Sequence, residues 1–135
     1  MEKSKDKYRG WYPIENIENE LFLYGIYNNR EGFRILLEGD RKTSEMLRIS
    51  FDTILFYRVI QESYFLRSMD AMHSTSTGKE KHFYIVDNSS LVIWFNKENY
   101  TTYKDEQITH YAIFTYISCA DILCPYGTGI KAEWL

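Results

Sequence analysis

Residues 21–51 read LFLYGIYNNREGFRILLEGDRKTSEMLRISF and decide the fold. Three runs of strand length, Leu21–Tyr27, Phe33–Glu38 and Glu45–Phe51, are divided by two polar segments that contain glycine. Runs of this length between such turns are typical of consecutive β-hairpins. In the third run apolar and polar side chains alternate, as they do in a strand with one buried face. The stretch therefore predicts an antiparallel meander.

Three further runs in the second half of the chain have the residue types of strands. His82–Val86 is one of them, and Ile108–Ile117 with Cys119–Cys124 is typical of a hairpin that ends at Pro125. The first member of that hairpin is apolar on both faces, as in a central strand covered on both sides. Consecutive hairpins with separate helices are typical of the α+β class. We therefore predict a mainly antiparallel sheet, made of the meander and the C-terminal hairpin, with one or two helices packed on it.

Two segments have more than one secondary-structure interpretation. A helix is expected over the second half of residues 52–73, where apolar side chains recur at helical spacing, while Phe56–Ile60 upstream fits a strand or a helix. The β-branched and aromatic residues of Leu91–Phe95 favour a strand. Ser89 or Ser90, just before this segment, would cap a helix instead. Both alternatives stay open from the residues alone.

Length and composition fit one small domain. The chain has 135 residues, of which 44% are hydrophobic and 26% are charged, an ordinary globular balance. Residues 1–19 are polar and interrupted by Pro13, and we expect a loosely ordered lead-in that Trp11 and Tyr12 pin to the rest of the protein. Residues 20–135 are expected to form a single α+β domain.

Charge and hydropathy argue against nucleic acid and membrane as partners. The formal net charge is −3, whereas nucleic-acid-binding domains carry a basic excess that neutralises phosphates. The apolar runs are far shorter than the roughly 20 residues that a membrane-spanning helix needs. The chain has two cysteines and no apolar segment after its charged start, which is typical of a reducing compartment. We expect a cytoplasmic protein that binds neither nucleic acid nor membrane.

The sequence contains no pattern that predicts a metal or a cofactor. His73, His82 and His110 are far apart in the sequence, and paired-cysteine motifs do not occur. A phosphate-binding loop is also missing from the sequence. Cys119 and Cys124 would lie on opposite faces of one strand, so we interpret them as buried thiols. No metal and no cofactor is therefore predicted.

One set of residues has the types required for nucleophilic catalysis. The C-terminal hairpin can bring Cys119, His110 and Asp121 together, since such positions are neighbours across paired strands. However, Cys119 has no helix N-terminus to lower its pKa, and no nucleophile-elbow motif occurs. His110 is better explained as a partly buried side chain hydrogen-bonded within the sheet. We therefore predict no catalytic residues, and a small hydrolase that uses His110 is the least favoured alternative.

Two groups of surface residues are candidates for binding a protein partner. Glu15, Glu18 and Glu20 form an acidic patch that can steer a basic partner. Tyr100 and Tyr103 can form a binding rim, because tyrosine combines an apolar ring with a hydrogen-bonding end. The alternative for the two tyrosines is that they cover the core from a loop.

Residues 56–125 resemble a known group of proteins. The stretches that carry the resemblance are FYRVIQE (56–62), FYIVDNS (83–89), IWF (93–95), HYAIFT (110–115) and ADILCP (120–125). They resemble a group of small and largely uncharacterised bacterial proteins, some of which resemble the immunity proteins encoded beside polymorphic toxins. The resemblance implies a helix after the Asn-Ser turn and a cytoplasmic binding protein, and it transfers no catalytic residue.

The function expected from these observations is binding without catalysis. An immunity protein neutralises a cognate bacterial toxin by covering it, which needs a rigid and complementary surface and no reacting group. The alternative is a small ligand-binding or regulatory domain with an apolar pocket against the sheet.

Overall fold

A computed structural model describes residues 5–15, 17, 20–39, 45–61, 64, 66–76, 82–100 and 103–135 of the chain. Its nine strands, two α-helices and the 3₁₀ helix that precedes Ile108 lie within these residues. In chain order they are β1 (Lys7–Gly10), β2 (Phe22–Asn29), β3 (Gly32–Glu38), β4 (Met46–Phe51), β5 (Phe56–Gln61), α1 (Leu66–Thr75), β6 (Phe83–Asp87), α2 (Ser90–Glu98), the 3₁₀ helix (Asp105–Gln107), β7 (Ile108–Thr115), β8 (Ser118–Pro125) and β9 (Ile130–Trp134).

The strands form two antiparallel sheets, and the predicted α+β class is confirmed. The four-stranded sheet has the order β2-β3-β4-β9 and contains the predicted meander. The five-stranded sheet has the order β1-β6-β7-β8-β5 and contains the predicted hairpin of β7 and β8. The meander and the hairpin therefore belong to different sheets.

Three strands add to what the sequence indicated. The lead-in expected for residues 1–19 contains β1, which pairs with β6 because the ring of Tyr8 packs among rings of the five-stranded sheet. The segment Phe56–Ile60, left open between strand and helix, is strand β5 and pairs with β8. The sequence analysis expected no strand after Pro125, yet β9 pairs with β4 there. Each of these strands is determined by a partner that is distant in the sequence.

The two helices resolve the remaining alternatives. Helix α1 overlaps the region where a helix was expected, and it extends to Thr75. Helix α2 replaces the strand that the residue types of Leu91–Phe95 favoured. Its cap is Ser89, whose side-chain oxygen accepts a hydrogen bond from the Val92 N–H at 3.1 Å. The cap and the burial of one helix face therefore outweigh the strand propensity of this segment.

The five-stranded sheet is covered on both faces. Its inner face packs on the four-stranded sheet through a core that includes Ile35, Ile49, Ile113 and Ile122, all with no exposed surface. Its outer face is covered by α1 and α2, which contribute apolar side chains to two further clusters. Strand β7 is buried on both faces, as its sequence predicted. The candidate site lies on the outer face, where α2 crosses β7 and β8.

Candidate functional site

A row of polar side chains lies beneath the N-terminus of α2. The Ser89 Oγ is 2.7 Å from His110 Nδ1, and His110 Nε2 is 2.7 Å from Asp121 Oδ1. Each of the three residues is at least nine-tenths buried. The other side chains on this face are mostly apolar. We call these three residues the buried polar row.

The strand register explains why two members of the buried polar row meet. In the β7–β8 ladder, His110 is opposite Leu123 and Ala112 is opposite Asp121, so His110 and Asp121 are diagonal neighbours on the same face. Ser89 reaches His110 from the turn between β6 and α2. Asn88 in that turn has a φ of 55°, a left-handed conformation that asparagine tolerates better than most residues.

The electrostatics assign a direction to the hydrogen bond between His110 and Asp121. Burial opposes ionisation of Asp121, but the hydrogen bond from His110 and the guanidinium of Arg58 outweigh it and hold the pKa of Asp121 below its usual value. An ionised carboxylate only accepts, so His110 Nε2 carries the proton of the bond to Asp121. The Oγ of Ser89 lies 2.7 Å from His110 Nδ1 and also accepts from Val92 N–H.

Charged residues hold both ends of the buried polar row. The Arg58 Nε donates to Asp121 Oδ2 at 2.9 Å. Next to Ser89, the backbone N–H of Ser90 donates to Asp6 Oδ1 at 2.7 Å, and the Ser90 hydroxyl is 3.1 Å from Asp6 Oδ2. Five segments of the chain therefore meet at this point: the start of β1, β5, the β6–α2 turn, β7 and β8.

The row has the residue types of a catalytic triad, but its surroundings differ from those of a nucleophilic site. A serine nucleophile needs N–H donors for the oxyanion that forms during the attack. The N–H of Ser90 instead binds the Asp6 carboxylate, whose negative charge would repel an oxyanion. The hydroxyl of Ser89 already caps α2. Two structural roles explain this geometry directly. Ser89 caps α2, and the buried polar row links α2 to β7 and β8.

The set Cys119, His110 and Asp121, considered from the sequence, is partly brought together. His110 contacts Asp121, and the Cys119 Sγ is 4.0 Å from Asp121 Oδ1. Burial and the nearby Asp121 carboxylate raise the pKa of the Cys119 thiol well above its usual value, so it is protonated rather than nucleophilic. Ser89 was expected only as a possible helix cap. Its contact with His110 joins positions 21 residues apart, which no local motif indicates.

Both cysteines are free and buried, as predicted. Burial raises the pKa of Cys124 to about 12, in addition to the raised pKa of Cys119. We expect neither thiol to react with a thiol-specific disulfide reagent in the native protein at pH 8, and both to react after unfolding in denaturant. Rapid stoichiometric reaction of the folded protein would contradict the buried placement.

A cleft borders the buried polar row. It has a volume of about 580 Å³ and is lined by Ser89 and by apolar side chains of β6, β7 and α2. Two cations, Lys5 and Arg9, and the carboxylates of Asp105 and Glu106 also line it. This volume is within the range of about 300–1,000 Å³ found for small-molecule sites.

The turn between β7 and β8 combines exposure with backbone strain. Its two residues, Tyr116 and Ile117, are 53% and 54% exposed. Ile117 has a φ of 62°, a left-handed conformation in which a β-branched residue is strained. The predicted strand Ile108–Ile117 therefore ends earlier, at Thr115. Turns that need this conformation normally use glycine or asparagine. We call these two residues the hairpin tip.

The predicted partner-binding residues have different surroundings. Glu15 and Glu20 are exposed, while Glu18 lies outside the described residues. Tyr100 is 96% exposed. Tyr103 instead packs against the buried cluster formed by α2, β7 and β8. Tyr103 is therefore partly a core residue, and Tyr100 presents its ring to solvent.

Comparison of the chain with protein-family models, curated proteins and solved structures finds no match. No helix in the part of the chain that the structure describes has the length and apolar character needed to cross a membrane. Among the same residues, no three His, Cys, Asp or Glu side chains are grouped so that they could hold a metal ion.

Proposed function

We propose that the protein is a non-catalytic binding protein, an immunity protein that neutralises a cognate bacterial toxin in the cytoplasm by direct contact. The observation that carries this proposal is the hairpin tip. Ile117 is strained and also more than half exposed, so the core gains little from it. A left-handed conformation costs a non-glycine residue roughly 1–2 kcal/mol. Tyr116 beside it packs against Phe22 of β2, with ring centroids 5.3 Å apart. An apolar side chain such as Ile117, held at this cost on the surface, is explained if it contacts a partner.

The composition of the surface supports the same proposal. Six tyrosines are more than half exposed, and tyrosine supplies a large and rigid contact area at a low cost in conformational entropy. In chain order these are Tyr12, Tyr24, Tyr64, Tyr100, Tyr116 and Tyr126. The net charge of −3 and the exposed Glu15 and Glu20 favour encounter with a basic partner.

The first experiment is co-expression with the toxic product of a neighbouring gene, followed by co-purification. Protection should saturate near one protein per toxin, because a binder acts stoichiometrically. A harmless neighbouring product, or protection without a complex, would remove the support for an immunity function. Ligand binding in the cleft beside Ser89 would then be the favoured function, since the cleft has the volume of a small-molecule site.

The sharper test replaces Ile117 with glycine. This change should raise the free energy of unfolding by about 1 kcal/mol, because glycine adopts the left-handed conformation without strain. The same change should weaken toxin binding about tenfold or more, because it removes an apolar contact from the tip. Chemical denaturation measures the first quantity, and calorimetry with the co-purified toxin measures the second.

A matched control is Lys131→Ala, since the side chain of Lys131 is 75% exposed and lies on β9, at the opposite edge of the four-stranded sheet from β2. It should leave toxin affinity unchanged. A variant Ile117→Gly that is more stable and binds the toxin as tightly as the wild type would show that the tip is not part of the interface.

A further inference from the structure

A second surface feature lies between β5 and α2. Phe56 and Arg58 of β5 form one wall of a groove, and Ser90, Leu91 and Trp94 of α2 form the other. The groove has a volume of about 260 Å³. The rings of Phe56 and Trp94 meet edge to face with centroids 5.4 Å apart. Trp94 is 45% exposed, so the groove has an aromatic wall that is open to solvent.

Arg58 gives this groove unused hydrogen-bonding capacity. A guanidinium carries five N–H donors, and Asp121 engages Arg58 through Nε alone. Both Asp121 oxygens are occupied, one by Arg58 and the other by His110. The two terminal amino groups of Arg58 make no hydrogen bond to any described residue. Because Arg58 is 39% exposed, these donors can reach a group that enters the groove.

We propose that this groove binds the carboxylate side chain of a Glu or Asp residue of the partner protein. The inference rests on the proposed function and adds a chemical identity to one contact of the interface. The two terminal amino groups of an arginine can donate two parallel hydrogen bonds to the oxygens of a carboxylate. The aromatic wall packs against the methylene groups of the entering side chain. The volume is below that of most small-molecule sites, and it suits one side chain.

The position of β5 lets a partner chain approach the groove. Strand β5 lies at the edge of its sheet, and among the described residues it pairs with β8 alone. Gln61 at its far end is opposite Ser118, which follows the hairpin tip. Arg58 is opposite Asp121, and Ile117 of the tip comes four residues before Asp121, or about 13 Å away at the usual rise of a strand. One partner can therefore contact the hairpin tip and the groove together.

The first test uses peptides and does not depend on the toxin. A blocked tripeptide Leu-Glu-Leu and its Leu-Gln-Leu counterpart are titrated into ¹⁵N-labelled protein. The glutamate peptide should shift the side-chain N–H signals of Arg58 and Trp94, and the glutamine peptide should bind about tenfold more weakly because it lacks the charge. Equal shifts from both peptides, or shifts away from the groove, would overturn the inference.

Variants extend the test and keep folding separate from binding. Arg58→Lys keeps the positive charge but removes the paired N–H donors of the guanidinium. It should weaken binding of the glutamate peptide about tenfold. Trp94→Ala removes an exposed ring and should have a similar effect. The control is Arg48→Lys, at a residue paired with Glu133 in the other sheet. Thermal unfolding shows whether each variant is folded.

Measurements of toxin binding distinguish a failure of the groove inference from a failure of the immunity proposal. If the toxin binds the wild type and Trp94→Ala equally well, the groove inference is wrong and the immunity proposal stands. If the neighbouring gene product never forms a complex, the immunity proposal fails and the peptide titration still decides whether the groove binds a carboxylate.

Discussion

Replacing Asp121 with alanine is expected to lower the free energy of unfolding by about 3 kcal/mol. Asp121 is 4% exposed and accepts hydrogen bonds from His110 and Arg58, so its removal leaves two donors without their partner. The cost is at the lower end of the range for buried ion pairs, because Arg58 is 39% exposed and can turn toward water. Urea denaturation at pH 7 measures the change.

The pH dependence of the same variant provides a second readout. The pKa of Asp121 is lowered in the folded protein, so its stabilising contribution is complete above the unfolded pKa of about 4 and is lost as the pH falls through the folded value. The gap in stability between wild type and variant should therefore shrink below about pH 4.

The matched control for this variant is Asp87→Ala, which breaks the exposed ion pair with Arg9 and should cost less than about 1 kcal/mol. Similar costs for the two aspartates at pH 7 would mean that the buried polar row contributes no more to stability than a surface ion pair.

Replacing Trp11 with alanine is expected to cost about 3 kcal/mol. Trp11 packs on Phe51 of the four-stranded sheet and on Phe83 and Tyr111 of the five-stranded sheet, with ring centroids 4.6 to 6.3 Å away. Its backbone N–H also donates to the carbonyl of Phe83 at 3.0 Å. The ring therefore joins the two sheets at the point where the chain leaves β1.

The neighbouring aromatic residue serves as the control for Trp11. Tyr12 is 72% exposed, and Tyr12→Ala should change the free energy of unfolding by less than about 1 kcal/mol. Thermal and urea unfolding of both variants decide the matter. Equal losses of stability would show that the sequence prediction, in which both residues pin this segment, describes it better than the ring contacts of Trp11 alone.

The sequence was informative wherever the deciding contacts are local. The alternation of Leu47 and Ile49 with polar residues predicted β4, and the spacing of turns predicted the meander. It was ambiguous where local terms oppose each other. In α2 the strand propensity of Ile93 and Trp94 competes with the cap formed by Ser89, and only the folded packing decides between them.

The sequence did not predict elements whose deciding contacts are distant along the chain. Tyr8 is the anchor of β1, and its partners Tyr84 and Phe114 are far along the chain. The same holds for the candidate site. The hairpin made contact between His110 and Asp121 predictable, whereas the Arg58–Asp121 bond spans 63 residues. Periodicity within a window of residues carries no information about such a pair.

The pairing of distant strands also has a kinetic consequence. The Arg9–Asp87 pair that joins β1 to β6 closes 78 residues of chain, and the Arg48–Glu133 pair that joins β4 to β9 closes 85. Closing such long loops slows folding to the millisecond-to-second range typical of β-rich topologies. The meander is local and forms earlier. The backbone groups on the side of β4 that faces β9 therefore stay unpaired until β9 is in place. During synthesis that edge is the place where two nascent chains can pair with each other and aggregate.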